Sequence, residues 1–332
     1  MRILVTGATG FVGSVLVPEL VKNFGPGSVS AYVLPGDRIP ESWKDEQVRI
    51  IHGDISDDKR VLEALEGQTH IVHLAGLISY WRRDFHRLMR VNWRGTRAVV
   101  EACLRAGVRR LVHVSSVGAV GFRKRGALID EKTAFNWPPY FYYMTSKHFG
   151  QKAVEEAARK NGLNAIILNP ASIMGPGDPV LETPHNQLYA RVYGGPMFGS
   201  FRGGLGVVDV RDVSAIIIKG LDRGRAGEKY LLVGANLPYP DVLRLIGKHS
   251  RRPVHPFPVP ASLLSAAGLS LELASNMTRK KPLLTYAYGR LSGWTTYYSN
   301  EKSRREFSHE YIPVDQTIRD SCRYFERVFI SS

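Results

Sequence analysis

Apolar runs alternate with longer amphipathic stretches along the first half of the chain. Runs rich in Val, Ile and Leu predict six buried strands, at residues 2–6, 29–34, 48–52, 70–75, 110–114 and 164–168. Apolar residues at helical spacing predict helices between them, including one long helix over 85–106 and another from about 143 to 161. This alternation is typical of an α/β fold with a right-handed, doubly wound and mostly parallel sheet.

Beyond Pro170 the pattern changes to short elements separated by Gly and Pro. It predicts strands at 206–210 and 229–233, an extended stretch at 254–260, and helices at 213–223, 240–250, 261–276 and 314–328. We therefore expect a first domain of residues 1–170 and a smaller C-terminal α/β substrate lobe of residues 171–332, interleaved with the first. The apolar helix at 261–276 is expected to be buried in this lobe.

Charge and composition exclude few functions. The 332 residues carry a net charge of +15, but no nucleic-acid-binding signature accompanies the scattered basic clusters, so we expect solvated surface and no nucleic-acid partner. The clusters are Arg82-Arg83, Arg109-Arg110, Arg123-Lys124-Arg125, Arg251-Arg252, Arg279-Lys280-Lys281 and Arg304-Arg305. Two cysteines, Cys103 and Cys322, predict buried thiols rather than a disulfide framework.

The sequence contains no signal peptide and no apolar run of membrane-spanning length, so a cytoplasmic location is expected. Residues 261–281 are apolar and then basic, and contact with an anionic membrane surface is the less favoured interpretation of this stretch. The two long helices could pair across a homodimer, although arginines on their outer faces are compatible with a monomer.

A glycine-rich turn joins the first strand to the first helix in the pattern T-G-x-x-G-x-x-G. Gly7 would permit the tight turn, Gly10 would let the backbone approach a phosphate, and Gly13 would let the helix pack closely. A strand before the turn and a helix after it place a pyrophosphate at a helix N-terminus. The sequence therefore predicts a dinucleotide site.

Residues after the second and third strands face the adenosine half of such a dinucleotide. An acidic residue after the second strand selects NAD and a basic one selects NADP, but this chain has Leu34 there. Asp37 and Arg38 follow closely enough to matter, so the choice between NAD and NADP stays open. Asp54 and Ile55, after the third strand, are candidates for contacts with adenine.

Tyr143 and Lys147 lie one helical turn apart on one face of a predicted helix. The lysine charge would lower the pKa of the phenol, so that the tyrosine could donate or accept a proton near neutral pH. The pair Ser115-Ser116 ends the preceding strand, where a hydroxyl could hold a substrate oxygen. Together with the dinucleotide motif, these residues predict a catalytic site.

These motifs occur in the order found in the extended short-chain dehydrogenases/reductases. The chain resembles that family over residues 1 to about 178, and more weakly to its C-terminus. The resemblance rests on TGATGFVG, Asp54-Ile55, Leu74-Ala75-Gly76, Asn92 in VNWRGT, Ser115-Ser116, Tyr143-x-x-x-Lys147 and NPASIMGPGD. Within the family, the chain is most similar to the dihydroflavonol 4-reductase and 3β-hydroxysteroid dehydrogenase-like branch, whose members are often called NAD-dependent epimerase/dehydratase. The resemblance implies a Rossmann fold.

The resemblance also implies residue roles. Tyr143 would be the proton donor or acceptor, and Lys147 would hold the nicotinamide ribose. Ser116, rather than Ser115, would orient the substrate carbonyl. Asn92 would support the active-site helix and a relay water. Cofactor contacts would come from Gly7, Thr9, Gly10, Phe11, Val12, Gly13, Asp37, Arg38, Asp54, Ile55, Leu74, Ala75, Gly76, Tyr143, Lys147, Asn169, Pro170, Ser172 and Ile173.

Two residues depart from the family pattern. Leu34 stands where many relatives have a charged residue, and Gly76 stands where many have a second alanine. No metal site is expected.

The implied reaction is NAD(P)-dependent reduction of a ketone or aldehyde, or oxidation of a secondary alcohol, with Tyr143 moving the proton. An NAD-dependent sugar-nucleotide epimerase or dehydratase uses the same residues and is the alternative. A non-catalytic cofactor-sensing module is a further alternative, and the intact Tyr143 and Lys147 argue against it.

The substrate pocket is expected to be lined by three segments, 77–83, 135–141 and 189–202. Their aromatic residues suit an apolar or ring-shaped small molecule. Their arginines could instead meet a phosphate or carboxylate, as a sugar nucleotide would need. These are Arg82, Arg83, Arg191 and Arg202.

Overall fold

The computed structural model describes residues 1–123, 126–178 and 186–330. In these ranges the strands form a seven-stranded sheet and two smaller sheets of three and two strands. In chain order they are β1 (Ile3–Thr6), β2 (Val29–Val33), β3 (Arg49–His52), β4 (His70–His73), β5 (Arg110–Val114), β6 (Ala165–Pro170), β7 (Ser172–Met174), β8 (Met197–Ser200), β9 (Gly204–Asp209), β10 (Lys229–Leu232), β11 (Ala235–Pro238) and β12 (Val254–Pro258). The large sheet has the order β10-β6-β5-β4-β1-β2-β3, with all neighbours parallel.

Helices occupy most of the chain between the strands. In chain order they are α1 (Phe11–Phe24), α2 (Ser42–Asp45), α3 (Asp58–Leu65), α4 (Phe85–Leu88), α5 (Thr96–Ala106), α6 (Tyr142–Asn161), α7 (Asn186–Gly194), α8 (Val210–Gly220), α9 (Tyr239–Ser250), α10 (Ala261–Thr278), α11 (Tyr286–Leu291), α12 (Glu301–Phe307) and α13 (Val314–Ile330). Short 3-10 helices cover Arg82–Asp84 and Val117–Ala119. The sequence pattern does not predict α2, α7, α11 and α12, because such short helices show too few turns of periodicity.

The large sheet is covered by helices on both faces. Alternate residues of β1 point to opposite sides, so Ile3 and Val5 join one core cluster and Leu4 joins the other. The first cluster takes most of its helical residues from α1 and α8, and the second takes them from α3, α5 and α6. This arrangement confirms the predicted doubly wound sheet.

The long helix predicted over 85–106 is not one regular α-helix. It is divided into α4, a π-helix at Met89–Gly95, and α5. The wider turn lies where two neighbours press on the backbone: a Cβ on Gly95 would lie 2.9 Å from Ile55, and a Cβ on Gly150 of α6 would lie 2.2 Å from the Asn92 carbonyl oxygen. Short π segments of this kind are frequent at functional sites.

The second half of the chain contributes to both parts of the molecule. Its strand β10 pairs with β6 and completes the large sheet, while β7, β9 and β11 form the three-stranded sheet. Strands β8 and β12 pair separately. Within the described residues, no helix is both long enough and apolar enough to cross a membrane.

Helix α10 is not buried in the lobe, as the sequence interpretation expected. It buries Ser265, Gly268 and Ser275, whereas Leu263, Leu273 and other large apolar residues are exposed. The apolar run alone could not reveal this, because the apolar side of a helix is usually its buried side, whereas here small residues form the buried side.

Candidate active site

The glycine-rich turn adopts the conformation that its sequence predicts. Gly7 has φ +66°, and a Cβ there would lie 2.8 Å from the Ala75 nitrogen. A Cβ on Gly13 would lie 2.2 Å from the Ala8 carbonyl oxygen, so this glycine packs against the turn itself. Helix α1 begins after Gly10 with no side-chain cap and no acidic residue in its first turn. This N-terminus, which includes Phe11 and Val12, is suited to bind an anion.

Asp37 joins the end of β2 to the glycine-rich turn. Its carboxylate accepts a 2.6 Å hydrogen bond from the Thr9 hydroxyl and a 3.1 Å bond from the Leu34 N–H. The side chains of Leu34 and Arg38 are exposed beside it. Asp37, and not Arg38, is therefore the residue that is fixed next to the glycine-rich turn.

Asp54 and Ile55 lie at the end of β3. The Asp54 carboxylate accepts from the Ser56 N–H and hydroxyl, both at 2.8 Å, and the bond from the Ser56 backbone lowers its pKa. Ile55 packs against Gly95 of the π-helix. The exposed Asp54 carboxylate thus stays charged beside this apolar surface.

The residues after β4 lie directly against the glycine-rich turn. Thr6 accepts a hydrogen bond from the Leu74 N–H at its carbonyl, 3.1 Å, and from the Ala75 N–H at its hydroxyl, 3.2 Å. A Cβ on Gly76 would lie 3.4 Å from both the Asn92 Oδ1 and the Lys147 Nζ. The glycine that departs from the family pattern therefore lies between two of the candidate catalytic side chains.

The structure places the Tyr143 phenol on α6 beside the Ser116 hydroxyl after β5, near enough for this hydroxyl to lower the pKa of the phenol. The Ser116 hydroxyl accepts a hydrogen bond from the Gly118 N–H at 3.1 Å. Ser115 is buried, and its hydroxyl has no hydrogen-bond partner among the described residues. The geometry therefore favours Ser116 over Ser115.

Burial is the largest effect on the pKa values of Tyr143 and Lys147, which both lie on α6. It raises the pKa of Tyr143, and the hydrogen bond to Ser116 lowers it in part. It also lowers the pKa of Lys147 to about 8. The Lys147 ammonium donates to the Val114 carbonyl oxygen at 3.2 Å. The expectation that Lys147 brings the phenol pKa down is thus wrong, because burial raises this pKa and the lowering contribution comes from Ser116.

Asn92 lies inside the π-helix, and its side-chain amide makes three hydrogen bonds. Its Oδ1 accepts from the Leu77 N–H at 2.8 Å, and its Nδ2 donates to the Leu77 carbonyl and to the Ser146 hydroxyl, both at 2.9 Å. Leu77 opens the segment that leads to Tyr80. Asn92 therefore fixes the start of a pocket segment as well as the active-site helix.

His73 is a core histidine that links β1 to the start of α5. Its Nδ1 lies 2.7 Å from the Thr6 hydroxyl and its Nε2 lies 3.1 Å from the Thr96 hydroxyl. Thr96 donates its own proton to the Asn92 carbonyl, so Nε2 must be the protonated nitrogen of a neutral ring. Burial lowers the pKa of His73 to about 3, in agreement with this neutral tautomer.

Asn169 lies near the end of β6, next to the backbone of Ser116. Its Nδ2 donates to the Ser116 carbonyl and to Gln151, both at 2.7 Å, while its Oδ1 is buried without a partner among the described residues. Pro170 is buried, and Ser172 and Ile173 are half-buried at the start of β7. Asn169 therefore fixes the backbone that carries Ser116.

An aromatic wall, formed by Tyr80, Tyr239, Tyr288 and Phe201, adjoins Tyr143. The Tyr80 ring lies 5.9 Å from that of Tyr143 and 5.1 Å from that of Tyr288. Phe201 lies 5.0 Å from Tyr239 and 5.4 Å from Tyr288. The predicted pocket segments contain Tyr80 and Phe201. They miss Tyr239 and Tyr288, because no local pattern shows that the second half folds back over α6.

Other parts of the predicted pocket segments lie elsewhere. Tyr189 is fully buried against Phe325, 4.8 Å away, in a separate core cluster. Trp137 and Phe141 pack with Trp294 in a cluster against which Tyr80 of the aromatic wall also packs.

The arginines also divide into two groups. Arg82, Arg83, Arg191 and Arg202 are exposed. Arg110, expected at the surface, is buried and donates to the backbone carbonyls of Gly220 and Gly224 at 3.0 and 2.8 Å. Residues 124 and 125 of another basic cluster lie outside the described residues. No cluster of His, Cys, Asp or Glu suited to a metal ion is found in the part of the chain that the structure describes.

Comparison with known proteins agrees with this geometry. Residues 3–233 match the model of the NAD dependent epimerase/dehydratase family. The chain is 31% identical to sterol demethylase protein B of Methylococcus capsulatus over 98% of both proteins. It is 28% identical to a putative dihydroflavonol 4-reductase of Synechocystis over 97% of this chain and 94% of that one. The crystal structure of gox2253 has the same fold, with a TM-score of 0.81 and 29% identity over 98% of both chains. The chain therefore belongs to the NAD-dependent epimerase/dehydratase family of extended short-chain dehydrogenases/reductases and is an NAD(P)-dependent oxidoreductase.

Proposed function

We propose that this enzyme interconverts a ketone and a secondary alcohol on an apolar, ring-shaped small molecule, with Tyr143 moving the proton. The observation that carries the proposal is the setting of the Tyr143 phenol, which lies beside Ser116 and edge-on to Tyr80. A substrate whose oxygen contacts this phenol would have its carbon skeleton beside the aromatic wall. The two relatives named above refer to sterols and dihydroflavonols, and both are ring compounds.

The residues around the turn fit a dinucleotide. A side chain on Gly7 would collide with the Ala75 backbone, so the turn stays bare, and the α1 N-terminus carries neither a cap nor an acid. We assign the pyrophosphate to this turn, the adenosine to Asp37, Asp54 and Ile55, and the nicotinamide side to Lys147 and Asn169. When bound, NAD(P) supplies or accepts the hydride.

The proton chemistry follows from the side chains themselves. The raised pKa keeps the Tyr143 phenol protonated at neutral pH, so in the direction of reduction it can donate to the oxygen of a bound ketone. Ser116 donates a hydrogen bond to the same oxygen. The buried Lys147 ammonium stabilises the negative charge that remains on Tyr143.

The domain roles and the location are part of the same proposal. Residues 1–170 hold the dinucleotide, and residues 171–332 form the substrate lobe while returning β10 to the large sheet. Cys103 and Cys322 are both free and buried, which favours a reducing, cytoplasmic compartment.

A sugar-nucleotide epimerase or dehydratase is the second candidate. The observation that favours it is the exposed Arg191, whose charge acts on the Tyr288 phenol in the aromatic wall. A guanidinium at this position could pair with a nucleotide phosphate.

One experiment separates the two candidates. Protein purified without added nucleotide is denatured, and whatever it releases is identified by mass spectrometry. The reductase proposal expects an exchangeable site and oxidation of NADH or NADPH when polycyclic ketones are added. Stoichiometric NAD that survives dialysis, together with conversion of UDP-glucose, would overturn it in favour of the second candidate.

A further inference from the structure

Helix α10 exposes its large apolar residues. The exposed fractions are 61% for Leu263, 60% for Leu273 and 89% for Met277. At 100° per residue these three side chains share one face of the helix, and they share it with exposed Ala266 and Ala274. The result is an exposed, mainly apolar face along an 18-residue helix, interrupted by the small polar side chain of Ser270.

The inner face of α10 explains why the leucines point outward. A Cβ on Gly268 would lie 2.4 Å from the Thr285 carbonyl oxygen, and a Cβ on Gly289 of α11 would lie 2.6 Å from the Leu264 carbonyl oxygen. The two backbones are therefore in contact, and only small residues fit between them. Glu272, the one charged residue of α10, also faces inward and accepts from the Tyr286 N–H at 3.1 Å.

Basic residues follow immediately at the C-terminal end of this face. Arg279, Lys280 and Lys281 are all exposed, and Leu283 beyond them is 89% exposed. Arg83, from the pocket segment, donates to the Asn276 carbonyl at 3.4 Å and adds a fourth cation at the same end. An uncharged apolar face bordered by cations is complementary to the headgroups and acyl chains of an anionic bilayer.

We propose that α10 is a membrane-docking helix that lies in the interface of an anionic bilayer. Its leucine face contacts the acyl chains, and the basic cluster 279–281 contacts the headgroups. Two further aromatic side chains, Phe198 and Phe257, are exposed on the strand pair β8–β12, whose second strand precedes α10 in the chain. The net charge of +15 favours the same partner.

The docking helix is one helix away from the candidate active site. Helix α11 packs against α10 on one side and carries Tyr288 of the aromatic wall. A lipophilic substrate dissolved in the bilayer would therefore enter beside α11, and this consequence, unlike the docking itself, rests on the proposed function.

Vesicle flotation of the full chain tests the proposal without cofactor or substrate, so its result is independent of the proposed reaction. We expect the protein to float with vesicles of phosphatidylcholine and phosphatidylglycerol and to bind far less to phosphatidylcholine alone. Substituting Arg279→Gln, Lys280→Gln and Lys281→Gln together should weaken binding on the order of a hundredfold, since each basic residue near an anionic surface contributes roughly a factor of five. Removing three exposed lysines elsewhere, with Lys22→Gln, Lys59→Gln and Lys160→Gln, matches the change in net charge and should have a much smaller effect.

A second set of variants tests the apolar face. Leu263→Gln, Leu273→Gln and Met277→Gln together should abolish flotation, and all three positions are exposed, so the fold should persist. Leu104→Gln with Leu128→Gln, two exposed leucines elsewhere, should float like the wild type. Equal binding to both vesicle types, or flotation of the α10 triple variant, would overturn the proposal. So would a stable dimer that the same triple variant dissociates, because a second copy would then be the occupant of this face.

Discussion

The side-chain amide of Asn92 holds the backbone of Leu77 at both its N–H and its carbonyl, at 2.8 and 2.9 Å. The same amide donates to Ser146 on the active-site helix α6. Because Leu77 opens the segment that carries Tyr80, one side chain sets the spacing between the pocket wall and Tyr143. The π-helix places this amide at its centre, and a regular α-helix would rotate it away.

Asn92→Asp should therefore damage both positioning and stability. The carboxylate keeps the acceptor but loses the two donated bonds, and we expect stability to fall by about 1–3 kcal/mol and kcat to fall on the order of a hundredfold. Melting curves and steady-state kinetics measure the two effects. Asn236→Asp is the matched control, because Asn236 brackets the Tyr298 backbone with the same two bonds, at 2.9 and 3.0 Å, outside the catalytic residues. Equal losses of kcat in both variants would contradict a positioning role.

Tyr143→Phe should remove turnover and leave the binding of NAD(P) intact. Loss of the proton donor is expected to lower kcat by about 10²–10⁴-fold, whereas the ring still packs against Tyr80. Cofactor binding is followed by nicotinamide fluorescence and turnover by its absorbance. Tyr142→Phe is the control on the adjacent residue, whose ring contacts Phe85 instead. A Tyr143→Phe enzyme with wild-type kcat would show that another group moves the proton.

The first half of the fold could be predicted from the sequence because its signals are local. Strands such as β5 are short, mainly apolar runs that the pattern predicts directly. Gly7 and Gly13 predict a tight turn, and in the structure neither position has room for a side chain. Tyr143 and the pair Ser115-Ser116 could be named as candidates because the tyrosine lies one helical turn before Lys147 and the serines end the preceding strand.

The remaining features depend on contacts between distant parts of the chain. The π-helix arises where Gly95 and Gly150 let other elements approach, and a periodic apolar stripe cannot show this. In the sequence, Arg110 belongs to a basic cluster that is typical of the surface. In the structure, its guanidinium is buried and donates to the carbonyl oxygens of Gly220, at the end of α8, and of Gly224. Tyr288 is brought to Tyr80 by α11, a helix of six residues with no sequence pattern of its own.

Lys147→Met should make the enzyme inactive but more stable at neutral pH. Burial lowers the lysine pKa from 10.5 to about 8, so between these values the unfolded chain binds a proton that the folded chain does not. The cost of the buried charge is therefore complete below pH 8 and disappears as the pH rises to 10.5. Removing the charge should stabilise the fold by roughly 3 kcal/mol, less about 1 kcal/mol for the unpaired Val114 carbonyl.

Chemical denaturation at pH 7 and near pH 10 measures this effect. The gain from Lys147→Met should be present at the lower pH and nearly absent at the higher. Lys152→Met, on the exposed side of the same helix, is the matched control, because it removes an ammonium that is not buried. A Lys147→Met protein that is less stable at both pH values would mean that the ammonium is held by favourable contacts rather than against a desolvation cost.

Asp37 should make the enzyme prefer NAD over NADP. Its carboxylate is fixed by Thr9 and the Leu34 N–H at the end of β2, where a 2′-phosphate would meet a negative charge. Asp37→Asn keeps an acceptor for both bonds and removes the charge, leaving the exposed Arg38 as the nearest ionised neighbour in sequence. We expect the preference to shift toward NADPH by on the order of tenfold, equivalent to about 1.4 kcal/mol.

The measurement is the ratio of kcat/KM for NADH and NADPH in each variant. Glu41→Gln removes one exposed negative charge a few residues further along and serves as the control. Its ratio should stay at the wild-type value, because the effect of an exposed charge is screened within about a Debye length. If both variants shift the ratio equally, the preference comes from the general field of the surface. If only Asp37→Asn shifts it, the carboxylate that Thr9 holds is the residue that discriminates between the two cofactors.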